Sequence, residues 1–422
     1  MDDIAVLRHR ARGCGLLRAV GDQAFDRLAV ALDSHRIAAF DQVSCHAVAH
    51  KAHTDEADGH ILCHFEILRT RTIDKAASNH VYEMVYHRGI VASTRRIGGY
   101  DMNILILGGG GVLGQKLALK LAANPTLKGQ AITQVTLADV VDPPKIDAPF
   151  PVQTVTCDIA DAASVAGCVT AQTDVIYLLA AIVSAHAEED FDAGMNINLF
   201  GIYNVLERCR ALGTVPTVVF SSSIAIYGGE AQDPLGDHSY PNPQTSYGMQ
   251  KAAGEMLIND YSRKGFIDGR AFRLPTVSVR PGKPNRAASS FMSSILREPL
   301  NGQEAICPVE SDFLHYYISP RRCVENLVKG VELNAADIGH NRVMQMPGKT
   351  WSIAQVIEAM TAVAGTDPAK LIRWDPQPDI KQIVSGWRWD IHADKALRLG
   401  LKADDTFEDN IRYYLEDDKP TT

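Results

Sequence analysis

The chain has 422 residues, 46% hydrophobic and 22% charged, with a net charge of −8. That is ordinary for a globular chain long enough to bury a sizeable core, and the acidic balance argues against nucleic acid as a partner, because a phosphate backbone wants a basic face. No apolar run reaches the roughly 18 residues of a membrane span, the opening MDDIAVLRHR lacks the apolar segment of a signal peptide, and the eight Cys form no CxxC pair, so a cytoplasmic protein with reduced thiols is expected.

Residues 1–101 differ in composition from the rest. They hold 9 of the 14 His but none of the 20 Pro and none of the 4 Trp, with 11 Arg against 2 Lys and as many acids as bases, 13 each. Leu16, Leu17, Val20, Phe25 and Leu28 could form a short helix; no longer pattern follows. His46, His50, His53, His60, Cys63 and His64 invite a metal reading. Their spacing completes no known zinc pattern, so no metal is expected. The segment reads as a poorly ordered extension, or as sequence upstream of a start at Met102.

From Met102 the pattern becomes regular. Asn103–Leu107 is a short apolar run that reads as a buried parallel strand, and it ends in four glycines. Val112–Ala123 then has helical periodicity, stopped by Asn124-Pro125. Apolar runs at Val135–Leu137, Val152–Val155, Val175–Leu179 and Val218–Phe220 alternate with helical stretches. The alternation predicts an α/β fold, a doubly wound parallel sheet of Rossmann type over residues 102–280. Past residue 280 it weakens, and residues 281–422 are expected to form mainly a smaller substrate-binding lobe, with some segments returning to the sheet.

Gly108-Gly109-Gly110-Gly111-Val112-Leu113-Gly114 joins the first strand to its helix and contains G-x-x-G-x-x-G. Gly108 permits the turn, Gly111 lets the backbone approach a pyrophosphate at the helix N-terminus, and Gly114 lets helix and strand pack closely. Asp139 ends the second strand. A carboxylate there accepts bonds from the adenosine ribose hydroxyls and repels a 2′-phosphate, and with no Arg nearby NAD is favoured over NADP. Asp158 and Ile159 follow the third strand; Asp158 could bond the adenine amino group or cap the helix before Ala162.

Tyr247-Gly248-Met249-Gln250-Lys251 is a Y-x-x-x-K pair, four apart and so on one helix face. An ammonium beside the phenol would favour the phenolate, and such a phenol can take a proton from an alcohol as hydride leaves. Upstream, Ser221-Ser222-Ser223 ends the fifth strand, where α/β sheets carry their sites. Ser223 can hydrogen-bond the substrate oxygen.

With these motifs in this order, residues 102–422 resemble the extended short-chain dehydrogenase/reductase superfamily, the NAD-dependent epimerase/dehydratase family. The resemblance implies NAD as cofactor, with Ser223, Tyr247 and Lys251 catalytic and Lys251 also binding the nicotinamide ribose. It implies cofactor contacts at Ala180, at Asn198, which stands three before Gly201, and at Pro275. Family members often pair through two helices per subunit, and Tyr247–Tyr261 would be one, so a homodimer is expected. RLPTVSVRPGKPNRAASSF, from Arg273, and the stretch Met102–Val141 resemble a branch that oxidises the C2 hydroxyl of four-carbon sugar acids such as D-erythronate. In that stretch Arg280, Lys283 and Arg286 cluster where the family contacts substrate. Arg280 and Arg286 are the candidate carboxylate ligands; read from charge spacing alone, the loop could equally be a solvated basic one. A nucleotide-sugar epimerase or dehydratase shares every cofactor motif, and a catalytically silent NAD(H)-sensing protein is a further alternative.

Overall fold

The computed structural model describes residues 102–419, apart from 231–232 and 283–287, together with four short strands before them. The chain divides into two units, Met1–Ser78 and Asn79–Thr422. In the first unit His53–Asp55 pairs antiparallel with His60–Leu62. In the second, His80–Tyr86 pairs antiparallel with Ile90–Arg96. The possible helix around Leu16–Leu28, the candidate ligands His46, His50, Cys63 and His64, and the loop residues Lys283 and Arg286 lie outside the described residues. Among the described residues no cluster of His, Cys, Asp and Glu could hold a metal ion, and no helix is long and apolar enough to cross a membrane.

The centre of the second unit is a parallel sheet. Its strands are β1 (Met102–Leu107), β2 (Gln130–Asp139), β3 (Val152–Thr156), β4 (Val175–Leu178), β5 (Thr217–Ser223), β6 (Asp268–Leu274) and β7 (Val343–Gln345). They lie in the order β7-β6-β5-β4-β1-β2, with β3 also pairing β2. Ile104, Leu105, Ile106 and Leu107 are all buried, as expected of a strand covered on both faces. The order reverses between β1 and β4. A doubly wound sheet leaves a crevice at that point, outside the carboxyl ends of its strands.

Helix α1 (Val112–Ala123) packs on one face with α5 (Pro320–Glu332), around Leu117, Leu121, Leu327 and Val331. The other face carries α2 (Ala162–Cys168), α3 (Gly201–Leu212) and α4 (Ser246–Arg263), around Val165, Val205, Leu206 and Ile258. Arg270 on β6 is wholly buried and ties α5 to the sheet. Its Nε and Nη2 each donate, at 2.7 Å, to Gly330 and Leu333 carbonyls that the helix end leaves without intrahelical partners. The C-terminal part builds a lobe around Thr276–Val277, Leu314–Ile318 and Lys349–Ser352, a three-stranded sheet with its own core of Val279, Leu296, Tyr317, Val356 and Phe407. Strand β7, far along the chain, returns to the main sheet beside β6.

Candidate active site

The loop after β1 is shaped by its glycines. Gly108 has φ +90°, a conformation costly for any residue with a Cβ, and a side chain there would stand 2.7 Å from the Ala180 amide. At Gly114 a Cβ would meet the Gly108 carbonyl at 2.2 Å, so only glycine lets α1 start this close to β1. Gly111 differs. A Cβ there would meet only the Gly108 carbonyl, at 3.4 Å, so packing within the protein does not require glycine. The position is exposed, and the first turn of α1 has no side-chain cap and no acid. Free helix amides behind an unobstructed backbone suit an anion brought close, such as a pyrophosphate.

Asp139 stands at the rim of this loop. Its Oδ2 accepts from the Gly110 amide at 2.9 Å and its Oδ1 from the Val140 amide at 2.8 Å. Asp158 does not cap α2. That task falls to Asp161, which accepts from Ala163 and Ser164. Asp158 instead turns the chain, accepting from the Ala160 amide at 2.9 Å. Ile159 is buried against Gly201 of α3, so its backbone is what it can offer a ligand. Asn198 is wholly buried in a π-helical turn, Met195–Phe200, and holds the loop after β4 by accepting from the Ile182 amide at 2.9 Å.

Ser223 ends β5, and the chain then makes a short 3-10 turn, Ile224–Ile226. Helix α4 starts at the Thr245 cap, whose Oγ1 accepts from the Gly248 amide at 3.1 Å. A Cβ at Gly248 would be 2.2 Å from the Ala225 carbonyl; the bare backbone therefore lets the first turn of α4 rest on the turn after Ser223. That contact brings Tyr247 toward Ser223, near enough for the serine hydroxyl to favour the phenolate. Burial pushes the Tyr247 phenol up to about 12, while the Ser223 bond and the positive charge of Arg280 both pull it down. Arg280 is 33 residues from Tyr247 in sequence, yet the fold brings its charge within reach of the phenol. Its own charge is opposed by burial and by neighbouring Arg297, and supported by Tyr247.

Lys251 is 2% exposed. Its Nζ donates to the Ser221 carbonyl at 2.8 Å and lies 5.7 Å from the Tyr247 ring centroid. Burial pulls its ammonium down to about 7. Arg280 thus joins Lys251 as a cation near the Tyr247 phenol, one that the Y-x-x-x-K spacing does not disclose.

A buried polar cluster beneath the site was not anticipated from sequence. Arg273 on β6 forks onto Glu255 of α4, Nε to Oε1 at 2.9 Å and Nη2 to Oε2 at 2.8 Å. Glu255 also accepts from Ser222 at 2.6 Å, and Tyr227 accepts from both Arg273 and Gln345. Removing one partner of such a pair would strand a buried charge, at a cost of about 3–5 kcal/mol. Glu255 stands four residues after Lys251, a spacing that marks a shared face. Its partner on β6 could be known only from the fold.

A glycine loop opening a helix at the sheet's switch point, with a Ser-Tyr-Lys group at the ends of β5 and α4, defines a dinucleotide-dependent enzyme of Rossmann type. The model of the NAD dependent epimerase/dehydratase family matches residues 104–314. The D-erythronate dehydrogenase of Cupriavidus necator is 47% identical over 320 residues, covering 75% of this chain and 98% of that one. The Haemophilus influenzae D-erythronate dehydrogenase is 39% identical over 317 residues, covering 75% and 100%. Among solved structures, a nucleoside-diphosphate-sugar epimerase from Agrobacterium tumefaciens is 40% identical with a TM-score of 0.73, covering 78% of this chain and 98% of that one. The chain belongs to the NAD dependent epimerase/dehydratase family. It is an NAD-dependent oxidoreductase, and the glycine loop, the uncapped start of α1 and Asp139 fit that cofactor.

Proposed function

We propose that the protein oxidises the C2 hydroxyl of a small sugar acid, D-erythronate being the best candidate, to the 2-keto acid. The observation that carries this reading is that Ser223 at the end of β5 and Arg280 after β6 both act on the phenol of Tyr247 on α4, a hydroxyl and a guanidinium brought to one phenol from three elements. A 2-hydroxy acid offers them the matching groups on adjacent carbons. The identity to two D-erythronate dehydrogenases supports the same substrate.

In this reading Gly108, Gly111, Val112, Leu113 and Gly114 hold the pyrophosphate, Asp139 the adenosine ribose, and Asp158 and Ile159 the adenine. Ala180 and Pro275 line the nicotinamide side, Lys251 bonds the nicotinamide ribose, and Asn198, wholly buried, acts by holding the loop at Ile182 and not by touching the cofactor. NAD, when bound, supplies the acceptor for the hydride that leaves the alcohol carbon. Ser223 Oγ hydrogen-bonds the substrate hydroxyl, and the Tyr247 phenolate takes its proton as the carbonyl forms. Arg280 bonds the carboxylate and so fixes which hydroxyl faces Tyr247.

The direct test is a panel of four- to six-carbon sugar acids with NAD, followed at the NADH absorbance. D-erythronate is expected to lead. A second reading, epimerisation of a nucleotide sugar, is favoured by the identity to the Agrobacterium epimerase. It prevails if no sugar acid is oxidised and a UDP-sugar is epimerised instead.

Cofactor choice gives an independent check. Asp139 puts a negative charge where NADP carries its 2′-phosphate. NAD should be preferred, and Asp139→Ala should weaken NAD binding and narrow the gap to NADP. The two dissociation constants, measured by titration with and without the substitution, decide it; a wild-type preference for NADP would overturn the assignment of Asp139.

A further inference from the structure

Gln250 lies between Tyr247 and Lys251 in sequence and is wholly buried, as is Asn198. The two side-chain amides meet, Asn198 Nδ2 donating to Gln250 Oε1 at 2.9 Å. Asn198 grips the loop after β4 at Ile182 with its other bonds, accepting from the amide at 2.9 Å and donating to the carbonyl at 3.2 Å. A path of only two amides therefore joins α4 to the loop that carries Ala180.

The surroundings are built to keep that path in place. A side chain at Gly194 would stand 2.6 Å from Gln250 Nε2, so the glycine leaves the space the amide needs. Asn198 sits in the π-helical turn Met195–Phe200; such turns are uncommon and recur at functional sites. An apolar residue at 250 would fill the volume as well but would give Asn198 no acceptor; Gln250 Nε2 has no hydrogen-bond partner among the described residues, so the bond to Asn198 is the one the amide makes.

We propose that Gln250 is a positioning residue: through Asn198 it sets the loop at Ala180–Ile182 in register with the helix that carries Tyr247 and Lys251, so that the nicotinamide side of the cofactor site and the proton-transfer group are aligned as one unit. This rests on the reading that the Ala180 loop faces the cofactor. Two amides in series also make a specific thermodynamic claim. Losing either should break the same connection, so the two losses should not add.

The test measures NAD binding to the full chain by calorimetric titration. Gln250→Met keeps the length and removes the acceptor; it is expected to raise the NAD dissociation constant about tenfold. The double variant Asn198→Ala/Gln250→Met should bind NAD no more weakly than Asn198→Ala alone. Wild-type affinity in Gln250→Met, or losses that add in the double variant, would overturn the inference. Should Gln250→Met fail to fold, Gln250→Asn, whose amide is one methylene short of Asn198, carries the same comparison. Ala180→Arg tests the underlying reading separately. If it leaves NAD affinity unchanged, the loop does not face the cofactor and the inference falls with that reading; if it weakens NAD while Gln250→Met does not, only the inference fails.

Discussion

Tyr247→Phe is expected to lower turnover of the preferred substrate by about 10²- to 10⁴-fold, the usual worth of one acid/base group, while NAD still binds. The substitution removes one oxygen and leaves the ring to pack, and the start of α4 is held by Thr245 and by Gly248 against Ala225, which the change does not touch. The loss should therefore appear in kcat and not in protein yield or NAD affinity. The pH dependence follows from the same group. Oxidation needs the phenolate, and the phenol sits at about 12, above any working pH. The deprotonated fraction then grows as pH rises, so oxidation should accelerate through the neutral and mildly alkaline range. Reduction of the keto acid needs the protonated phenol, already the main form there, and should lack that rise. Initial rates in both directions across pH 6–10 test both statements. Near-normal turnover in Tyr247→Phe would mean that another group moves the proton.

Arg280→Ala should have the second large effect, and it should have two parts. Truncating one partner of a buried, charge-assisted pair costs about 2–5 kcal/mol, so KM for the sugar acid should rise by roughly 30-fold or more, at about 1.4 kcal/mol per tenfold, with NAD affinity unchanged. The second part is electrostatic. Arg280 pulls the Tyr247 phenol down against burial. Without that cation the phenol rises further, and the climb in oxidation rate should shift to higher pH. Arg280→Lys separates the two parts: it keeps the positive charge but loses the planar fork. It should hold the pH profile near wild type while still raising KM. A wild-type KM in Arg280→Ala would remove the carboxylate from this position.

Much of this enzyme could be read along the chain because its signals are local. The limits of α1 at Val112 and Ala123 follow from apolar periodicity and from Asn124-Pro125. The glycine loop, Asp139 at the end of β2, and the shared face of Tyr247 and Lys251 depend on a few neighbouring residues, and the backbone geometry of a strand, turn or helix is enough to arrange them. Strand ends were less legible: β2 runs from Gln130 although only Val135–Leu137 stands out as apolar, because antiparallel pairing with Thr126–Leu127 starts it there and pairing with β1 and β3 carries it to Asp139.

Tertiary structure decided what depends on distance in the chain. Asp161 rather than Asp158 caps α2, a choice between two acids three apart that turns on how the chain leaves β3. The charge of Arg280 acts on Tyr247 only because β6, which leads to it, runs beside β5. The fork of Arg273 on Glu255, and the meeting of Asn198 with Gln250 52 residues away, need the helices laid on the sheet first. Burial itself is a property of the packed molecule: it moves Lys251 down to about 7 and Tyr247 up to about 12. The Y-x-x-x-K spacing carries no sign of that burial, because it reports which groups can meet and not how much water is left around them.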